Sequence, residues 1–509
     1  MSRFKIVFSS LLALAVISLF TACQSDGLGS SSADGLVVIP QDASVVMRFD
    51  IPSMLEKMDF ESVKNTPEYK EAVKEAANGQ AVLEKAMLDP AASGIDLEQS
   101  AYFTIASNPE KMNEDFLGMV FSLADKGKFE ALVAEFGSKT AASGYDYISP
   151  DRKAIIAWND QFAVVGGSEG YIDLAERAAS FLTQQKSTSV AEVPDLKKAM
   201  KADHDITTWF SSNTLAASPQ IAMAMGMAEI SPEALKENYV HGYVDFLPGK
   251  VEGRANLFAQ KELTKDLDKL FRDKPAIDVT DYLPGENLNL ILANSLSPRG
   301  IYEVLAARPQ SQGLADYSLK QYGLTVADVA DAWKGDIILA EYQKSANEKS
   351  AIFATGIADL EKFKQVLKIG EDGGILSPIG DNAWVLLNSN QFPMSNAYEI
   401  NFEDGQPHAI IVDDILFISG DKELLEQIQS GKLAKRDRIN GDITNVVYDN
   451  VFTMYSVGSL GEFQNAMGEF SQLNIEDFTF KTNRKEVSLD LELEDKTTNA
   501  LKQMAQVKR

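Results

Sequence analysis

The sequence predicts an α+β fold made of two tandem, related units, each a mainly antiparallel sheet with helices packed on one face. Hairpin signals outnumber strand-helix-strand crossovers, which favours antiparallel pairing. The order of strand and helix signals in the first half recurs in the second half. Apolar residues form 45% of the 509 residues, which is typical of globular proteins, and the length exceeds that of one core. The predicted units span residues 36–276 and 277–509.

Residues 1–22 are predicted to be an export signal. Arg3 and Lys5 form a basic start, and an apolar run from residue 6 to residue 20 follows. This run is shorter than the roughly 20 residues that a helix needs to cross a bilayer. Small residues stand directly before Cys23, which is typical of bacterial lipoprotein signals that are cleaved ahead of a cysteine. We therefore expect the mature chain to begin at Cys23.

Cys23 is the only cysteine of the chain, so the mature protein forms no internal disulfide and no thiolate metal site. Its expected role is lipid attachment, and several acyl chains would hold the protein stably at a membrane. Residues 24–35 consist mainly of glycine, serine and aspartate. Residues 23–35 therefore read as a lipidated cysteine and a flexible tether of roughly 20 Å.

The remainder of the chain is acidic. The full chain contains 74 Asp and Glu against 48 Lys and Arg, a formal net charge of −26. Such a surface repels phosphate backbones and anionic lipid headgroups. The composition therefore argues against nucleic-acid binding and against electrostatic docking to a membrane.

The first half of the mature sequence recurs in the second half, block by block. A proline-containing turn and an apolar strand at residues 36–49 correspond to residues 280–293. A helix predicted over residues 66–77 corresponds to one over residues 298–307, since both begin with residues suited to a helix N-terminus. These blocks open the two predicted units.

The clearest correspondence joins residues 121–133 to residues 355–367, where a strand ends and a helix begins at Asp125 and Asp359. In both halves the next elements are an apolar hairpin and a helix. A further strand, a hairpin turn and an amphipathic helix come after them. The matched pairs are 154–177 with 409–428, 205–212 with 450–457, 248–250 with 483–485, and helices near 261–272 and 496–507. This shared order predicts an internal duplication.

Ser168 is the one candidate nucleophile. It lies in a G-x-S-x-G pattern between a predicted strand and a predicted helix, where a hydrolase places its serine. Alternatively, Ser168 is the N-cap of a helix beginning at Glu169. The duplication favours the cap, because Asp421 stands at the equivalent turn and is no nucleophile for acyl transfer. We expect no catalytic residue.

Metal and cofactor sites are not expected. His204, His241 and His408 fall in unrelated contexts and form no close pair, so zinc is disfavoured. The acidic pairs Glu403-Asp404 and Asp413-Asp414 lack the spacing of a calcium loop and are interpreted as solvated turns. No phosphate-binding loop is present, so no nucleotide cofactor is implied.

Aromatic and methionine side chains leave a binding role open. Trp158, Trp209 and Trp384 fall in predicted strands, where core positions are favoured over a sugar-binding rim. Residues 221–230 form a predicted Met-rich helix that is either buried between layers or lines an adaptable groove.

The strand at residues 39–49, the Asp125 to Phe129 block and the hairpin at residues 154–167 resemble an exported lipoprotein family known as domain of unknown function 4836. The family is associated with Bacteroides-type bacteria, and the resemblance covers essentially the whole chain. It implies no catalytic residues. In such bacteria, acidic residues after the lipidated cysteine resemble a surface-export signal, and here Asp26 is the only nearby one. We expect an outer-membrane location and leave open which face.

Two hypotheses of function follow. The first is a non-enzymatic envelope lipoprotein that binds a glycan, another ligand or a protein, in the crease between the two halves. The second is a structural or assembly component of an envelope complex. An enzyme of unrecognised type, such as a hydrolase using Ser168, is the remaining alternative.

Overall fold

The computed structural model describes residues 33–77, 79–106, 115–170, 172–213, 232–307, 309–345, 348–387, 406–458 and 473–506. Over these residues the fold is α+β, with twenty strands and fifteen α-helices. The predicted signal peptide, Cys23, most of the tether, the Met-rich residues 221–230 and the pair Glu403-Asp404 lie outside the described residues.

The chain divides into two compact units. The first consists of Met1–Gln260, Gly461–Asn474 and Asp490–Arg509, and the second of Lys261–Leu460 and Ile475–Leu489. The sequence interpretation placed the boundary after residue 276 and assigned the whole C-terminal part to the second unit.

The difference has a structural cause at the C-terminus. The side-chain amide of Asn499 donates to the Phe246 carbonyl at 2.9 Å, and Lys502 pairs with Asp59 at 2.7 Å. These bonds tie the end of the chain to the first unit. Such contacts join residues more than 250 positions apart, and no local sequence signal specifies them.

Ten strands belong to the sheet of the first unit. They are β1 (Ala43–Phe49), β2 (Ala101–Ala106), β3 (Phe116–Ser122), β4 (Thr140–Ala142), β5 (Tyr145–Asp151), β6 (Ala154–Trp158), β7 (Phe162–Gly167), β8 (Ile206–Ser211), β9 (Tyr239–Leu247) and β10 (Lys250–Phe258). Their spatial order is β4-β5-β6-β7-β3-β2-β1-β8-β9-β10, and each neighbouring pair is antiparallel. The predicted hairpin turn at residues 248–250 is confirmed, because Leu247 pairs directly with Lys250.

The sheet of the second unit follows the same plan. Its strands are β11 (Leu288–Ser295), β12 (Asp336–Ser345), β13 (Glu348–Gly356), β14 (Leu376–Gly380), β15 (Ala383–Leu386), β16 (His408–Val412), β17 (Ile415–Ser419), β18 (Phe452–Val457), β19 (Ile475–Thr482) and β20 (Glu486–Leu493). Their order is β14-β15-β16-β17-β13-β12-β11-β18-β19-β20, and the pairs from β14 to β19 are antiparallel. From Asp490 onward, β20 belongs to the first unit.

The helices are distributed along the whole described chain. In chain order they are α1 (Ile51–Met58), α2 (Phe60–Val63), α3 (Pro67–Ala77), α4 (Ala81–Leu88), α5 (Lys126–Val133), α6 (Leu174–Leu182), α7 (Pro194–Met200), α8 (Lys261–Leu270), α9 (Pro298–Ala306), α10 (Pro309–Leu319), α11 (Val326–Ala332), α12 (Leu360–Asp372), α13 (Lys422–Gln429), α14 (Gly441–Tyr448) and α15 (Ala500–Ala505). None of the helices in the described residues has the length and apolar character needed to cross a membrane.

Several predicted helix starts are confirmed by their caps. The carboxylate of Asp125 accepts from the Lys128 N–H at 3.0 Å at the start of α5. Asp359 accepts from the Glu361 and Lys362 N–H groups, both at 3.1 Å, at the start of α12. These bonds satisfy amide groups that have no partner inside the helix, which is why aspartate is favoured there.

Helices cover both faces of the sheet, so the prediction of helices on one face is wrong. In the second unit, Phe417 packs in one apolar cluster with Leu424 of α13, whereas Leu416 and Ile418 pack in another with Phe363 of α12. Neighbouring strand residues point to opposite faces. The strand is therefore buried on both sides, which its uninterrupted apolar sequence reflects.

Candidate functional site

The candidate site lies on one face of β8, β9 and β10 in the first unit. Alternate strand residues share a face, and the antiparallel register aligns them in rows across the three strands. We call this surface the β8–β10 face. Its residues are Thr207, Trp209, Tyr239, His241, Tyr243, Arg254, Asn256 and Phe258.

Three aromatic rings form a column across this face. The ring centroids of Trp209 and Tyr239 are 4.0 Å apart with planes at 20°, and those of Tyr239 and Phe258 are 4.7 Å apart at 20°. Trp209 is 5% exposed, whereas Phe258 is 46% exposed. The column therefore leads from the core to an aromatic ring that solvent reaches.

Two polar atoms beside the column lack a hydrogen-bond partner among the described residues. They are Thr207 Oγ1 and His241 Nε2, and both atoms are buried. Burial, and then the charge of His204, lower the pKa of His241, so its ring is neutral at pH 7. A buried polar atom without a partner costs about 1–3 kcal/mol, which a bound ligand group or an ordered water would relieve.

A polar cluster closes one end of the face. The His204 ring stacks on Tyr243 with centroids 3.7 Å apart and planes at 5°, and His204 Nδ1 lies 2.8 Å from Asp245 Oδ2. The Asp205 carboxylate accepts from Ser53 Oγ at 2.7 Å, from Lys57 Nζ and from the Phe246 N–H at 2.7 Å. These partners engage both Asp205 oxygens. The carboxylate therefore links α1 to β9 and does not act as a free base.

Arg48 positions this cluster from below. Its side chain is 2% exposed and donates to the carbonyls of Met200 at 2.6 Å, Ala202 at 2.8 Å and His204 at 2.8 Å. A buried guanidinium needs such partners, since an unpaired buried charge is strongly unfavourable. Arg48 thus fixes the segment after α7 and, with it, the stacked His204 ring.

An ion-pair group borders the opposite edge of the face. Asp490 Oδ1 lies 2.8 Å from Lys250 Nζ and 3.1 Å from an Arg254 guanidinium nitrogen. Burial alone would raise the pKa of Asp490, but hydrogen bonds from Lys250 and Arg254 and their charges outweigh burial and lower it. The Asp490 carboxylate is therefore ionised at neutral pH, and Arg254 is held in place.

Comparison with known proteins identifies the family. The family model described as Domain of unknown function (DUF4836) matches residues 36–363, well over half of the chain. The chain belongs to this family. The DUF4836 match begins where the predicted tether ends and includes the whole β8–β10 face. A search among curated proteins found no match.

One solved structure is similar to this DUF4836 protein at low level. It is described as "Structure of crystal form I of TP0453", shares 11% sequence identity, and aligns over 45% of this chain and 80% of that chain with a TM-score of 0.27. A likeness of this degree supports no inference about function.

The structure of the DUF4836 chain places Ser168 in a closed setting. Ser168 is 1% exposed, follows β7 and accepts a hydrogen bond from the Gly170 N–H at 3.0 Å. The N-cap prediction is wrong, because α6 begins at Leu174 and Asp173 caps it by accepting from two amide groups at 3.0 Å. The cap must directly precede the helix, and a turn separates Ser168 from it. Burial of the hydroxyl and the antiparallel setting of β7 weaken the hydrolase alternative.

The predicted core tryptophans are confirmed. Trp158, Trp209 and Trp384 lie in strands and are at most 5% exposed. The indole N–H of Trp158 donates to Glu130 at 3.1 Å, and that of Trp384 donates to Glu371 at 2.8 Å. The indole N–H groups of Trp158 and Trp384 thus have the partners that burial requires.

The acidic pair Asp413-Asp414 forms the turn between β16 and β17, as predicted, and both residues are exposed. Their φ angles of 47° and 59° are those of a tight hairpin turn, which aspartate tolerates. Among the residues that the structure describes, no group of three or more His, Cys, Asp or Glu side chains could hold a metal ion.

Sequence reasoning missed the histidines of the β8–β10 face. It placed His204 and His241 in unrelated contexts, whereas the pairing of β8 with β9 brings them near one another on one surface. A long connection separates the two strands, so their pairing has no local signal. The alternation of Tyr239, His241, Tyr243 and Asp245 along β9 was the available clue, since such side chains share a face.

Proposed function

We propose that this protein is a membrane-anchored envelope lipoprotein that binds a ligand on its β8–β10 face without catalysing a reaction. The observation that carries this proposal is that the buried atoms Thr207 Oγ1 and His241 Nε2, beside the aromatic column, have no hydrogen-bond partner among the described residues. A bound molecule that supplies a hydrogen-bonding group there satisfies both requirements of a binding site, namely apolar contact and oriented polar contact.

A glycan fits the chemistry of the face best. The exposed ring of Phe258 offers a flat apolar surface of the kind that stacks on a sugar ring, and His241 and Asn256 lie in the neighbouring row with hydrogen-bonding groups. The carboxylates of Asp205, Asp245, Glu252 and Asp490 near the face are engaged in hydrogen bonds or ion pairs, and that of Asp195 bonds to Tyr239. We therefore expect neutral groups, and not these carboxylates, to contact the ligand.

The binding test compares two phenylalanines on adjacent strands. Phe258→Ala removes the exposed end of the column, whereas Phe210→Ala removes a ring that is 38% exposed on the opposite face of β8. Glycans that bind the purified mature protein on an array are titrated while tryptophan fluorescence is followed, because Trp209 is part of the column. We expect Phe258→Ala to abolish binding and Phe210→Ala to keep it. Equal loss in both variants would contradict the proposed location, and the absence of any glycan binding would contradict the ligand class.

Membrane anchoring through Cys23 is the second part of the proposal. It is supported by the short apolar run that ends shortly before the chain's only cysteine. Mass spectrometry of the protein purified from its native membrane should show acyl chains on an N-terminal Cys23, and Cys23→Ser should shift the protein out of the detergent phase. An unmodified N-terminus at any other residue would contradict this part. Protease treatment of intact cells would then distinguish the two faces of the outer membrane.

The alternative, a component of an envelope assembly, is favoured by one apolar patch on the second unit. Ile375 lies directly before β14, Ile379 within β14 and Leu387 directly after β15, and they are 40%, 58% and 44% exposed. Such a cluster of large aliphatic side chains is typical of contact surfaces. A photo-crosslinking residue placed at position 379 should capture a partner in intact cells if this alternative holds. Recovery of the monomer alone would speak against it.

We also infer that the two units arose by duplication. The spatial order of β11 to β20 repeats that of β1 to β10 strand for strand. The aspartate caps Asp125 and Asp359 occupy corresponding starts, each after the third strand of its unit. An experimental structure in which the two sets of ten strands fail to superpose would refute the duplication.

A further inference from the structure

In each series of ten strands, the helix after the tenth strand lies in the compact unit that holds most strands of the other series. Helix α8 directly follows β10, the tenth strand of the first unit, yet it belongs to the second unit. Helix α15 follows β20, the tenth strand in the second series, yet it belongs to the first unit. Each terminal helix therefore lies in the compact unit formed mainly by the strands of the other series.

In the second unit, α8 ends against the start of α9. The Ser297 N–H donates to the Leu270 carbonyl at 2.8 Å, and the Arg272 N–H donates to the Ser295 carbonyl at 2.9 Å. A Cβ atom added at Gly300 would lie 1.8 Å from the Lys269 carbonyl oxygen. Only glycine at this position allows the end of α8 to approach so closely.

Further bonds hold the residues after α8 in the second unit. Arg484, in the turn between β19 and β20, donates to the Phe271 carbonyl at 2.7 Å. Asp336 is fully buried, pairs with Arg272 and accepts from the Ala276 N–H at 3.0 Å. The segment after α8 is thus anchored by a buried carboxylate as well as by backbone contacts.

In the first unit, α15 and the residues before it meet the turn between β9 and β10. The Gly249 N–H donates to the Thr498 carbonyl at 2.9 Å, and the Asn499 side chain donates to the Phe246 carbonyl at 2.9 Å. Lys502 pairs with Asp59 directly after α1, and Leu501 is 2% exposed. The buried side chain of Leu501 and the ion pair of Lys502 therefore hold α15 in the first unit.

The two attachments use corresponding parts. Each terminal helix meets the first helix after the first strand, α1 or α9, and its flanking residues bond the turn of the last hairpin, between β9 and β10 or between β19 and β20. We propose that the two units exchange their terminal helices, so that each is completed by the other's helix and neither is a complete folding unit alone. The proposal is independent of ligand binding and uses the inferred duplication only to match the parts.

Hydrogen exchange of the full mature chain, followed by mass spectrometry, tests the exchange. Leu501→Asp places a charge at the buried anchor of α15, and Gln506→Asp makes the same change at an exposed position of the same segment. For Leu501→Asp we expect exchange about tenfold faster in α1 and in the β9–β10 hairpin, because the free energy of local opening falls there. Residues 288–345 should keep their protection, and Gln506→Asp should resemble the unsubstituted protein. Faster exchange confined to the second unit would overturn the proposal.

A cleavage experiment covers the case in which Leu501→Asp does not fold. A protease recognition sequence is inserted between Asp273 and Lys274, which are both exposed, and the folded protein is then cut. Because each fragment holds the other's helix, we expect the two fragments to elute together in native buffer and to separate in denaturant. Separation in native buffer would overturn the proposal. The cut protein carrying Gly300→Ala should dissociate more readily than the cut protein carrying Gly313→Ala, since no heavy atom lies within 4 Å of a Cβ at Gly313.

Discussion

Replacing Gly300 with alanine tests the close contact between α8 and α9 by a single methyl group. The added carbon would stand 1.8 Å from the Lys269 carbonyl oxygen, whereas about 3 Å is the shortest ordinary approach. The last turn of α8 must therefore move by more than about 1 Å. This displacement would break the 2.8 Å bond between the Ser297 N–H and the Leu270 carbonyl.

The expected change in the free energy of unfolding is the sum of two destabilising effects and one stabilising effect. Forcing extra volume into a packed contact costs about 1–3 kcal/mol, and the lost hydrogen bond costs about 1 kcal/mol. Alanine gains about 0.5–1 kcal/mol over glycine within a helix. Gly300→Ala should thus lower the free energy of unfolding by about 1–3 kcal/mol. Gly313→Ala, at an exposed helical position with open space around it, should raise it by about 0.5–1 kcal/mol.

Urea denaturation of both variants at one pH, followed by far-ultraviolet circular dichroism, measures this difference. The midpoint for Gly300→Ala should fall below that of the unsubstituted protein, and the midpoint for Gly313→Ala should equal or exceed it. If Gly300→Ala proves as stable as Gly313→Ala, α8 does not pack against α9 as described, and the reasoning fails.

Two further predictions concern buried charge. Arg48→Met leaves one buried and two partly buried carbonyls without their donor, and should lower the free energy of unfolding by about 3–5 kcal/mol. Arg177→Met, at a partly exposed ion pair, should lower it by less than about 1 kcal/mol. Comparable losses would refute the anchoring role. For Asp421, burial alone would raise its pKa, but the hydrogen bond from Lys344 and further bonds outweigh burial and lower it. A carboxyl with a lowered folded pKa stabilises above its unfolded pKa of about 3.9 and loses this contribution as the pH falls. The stability gap between the unsubstituted protein and Asp421→Asn should therefore be about 1–2 kcal/mol at pH 7 and shrink below pH 4, and a gap independent of pH would refute it.

Local interactions explain which structural predictions from the sequence succeeded. Asp125 and Asp359 cap helices through amide groups only two or three residues away, so residue type and spacing suffice to locate the helix start. The turn at residues 248–250 likewise depends on glycine at a positive φ of 64°. The N-cap prediction for Ser168 failed for a local reason as well. Asp173 directly precedes the first residue of α6, and its carboxylate caps the helix instead.

The β8–β10 face was not predictable in this way. The rows of side chains form only when β8 pairs with β9, and these strands are separated in sequence by residues 212–238. The segment that carries His204 is held by Arg48, which donates to carbonyls more than 150 residues away in the chain. Sequence patterns show that a strand is apolar or alternating, but they do not show which strand lies beside it. The column of Trp209, Tyr239 and Phe258 exists only after that pairing is made.

The amino-acid sequence alone determined the α+β class, the antiparallel pairing, and the positions of several hairpins and helix starts, because each depends on contacts among residues a few positions apart. The tertiary structure alone decided that helices cover both sheet faces, that His204 and His241 approach each other, and which compact unit holds α8 and which holds α15. These features depend on packing between residues far apart in the chain, where the burial of apolar surface and the satisfaction of buried polar groups select one arrangement among many that the local pattern allows.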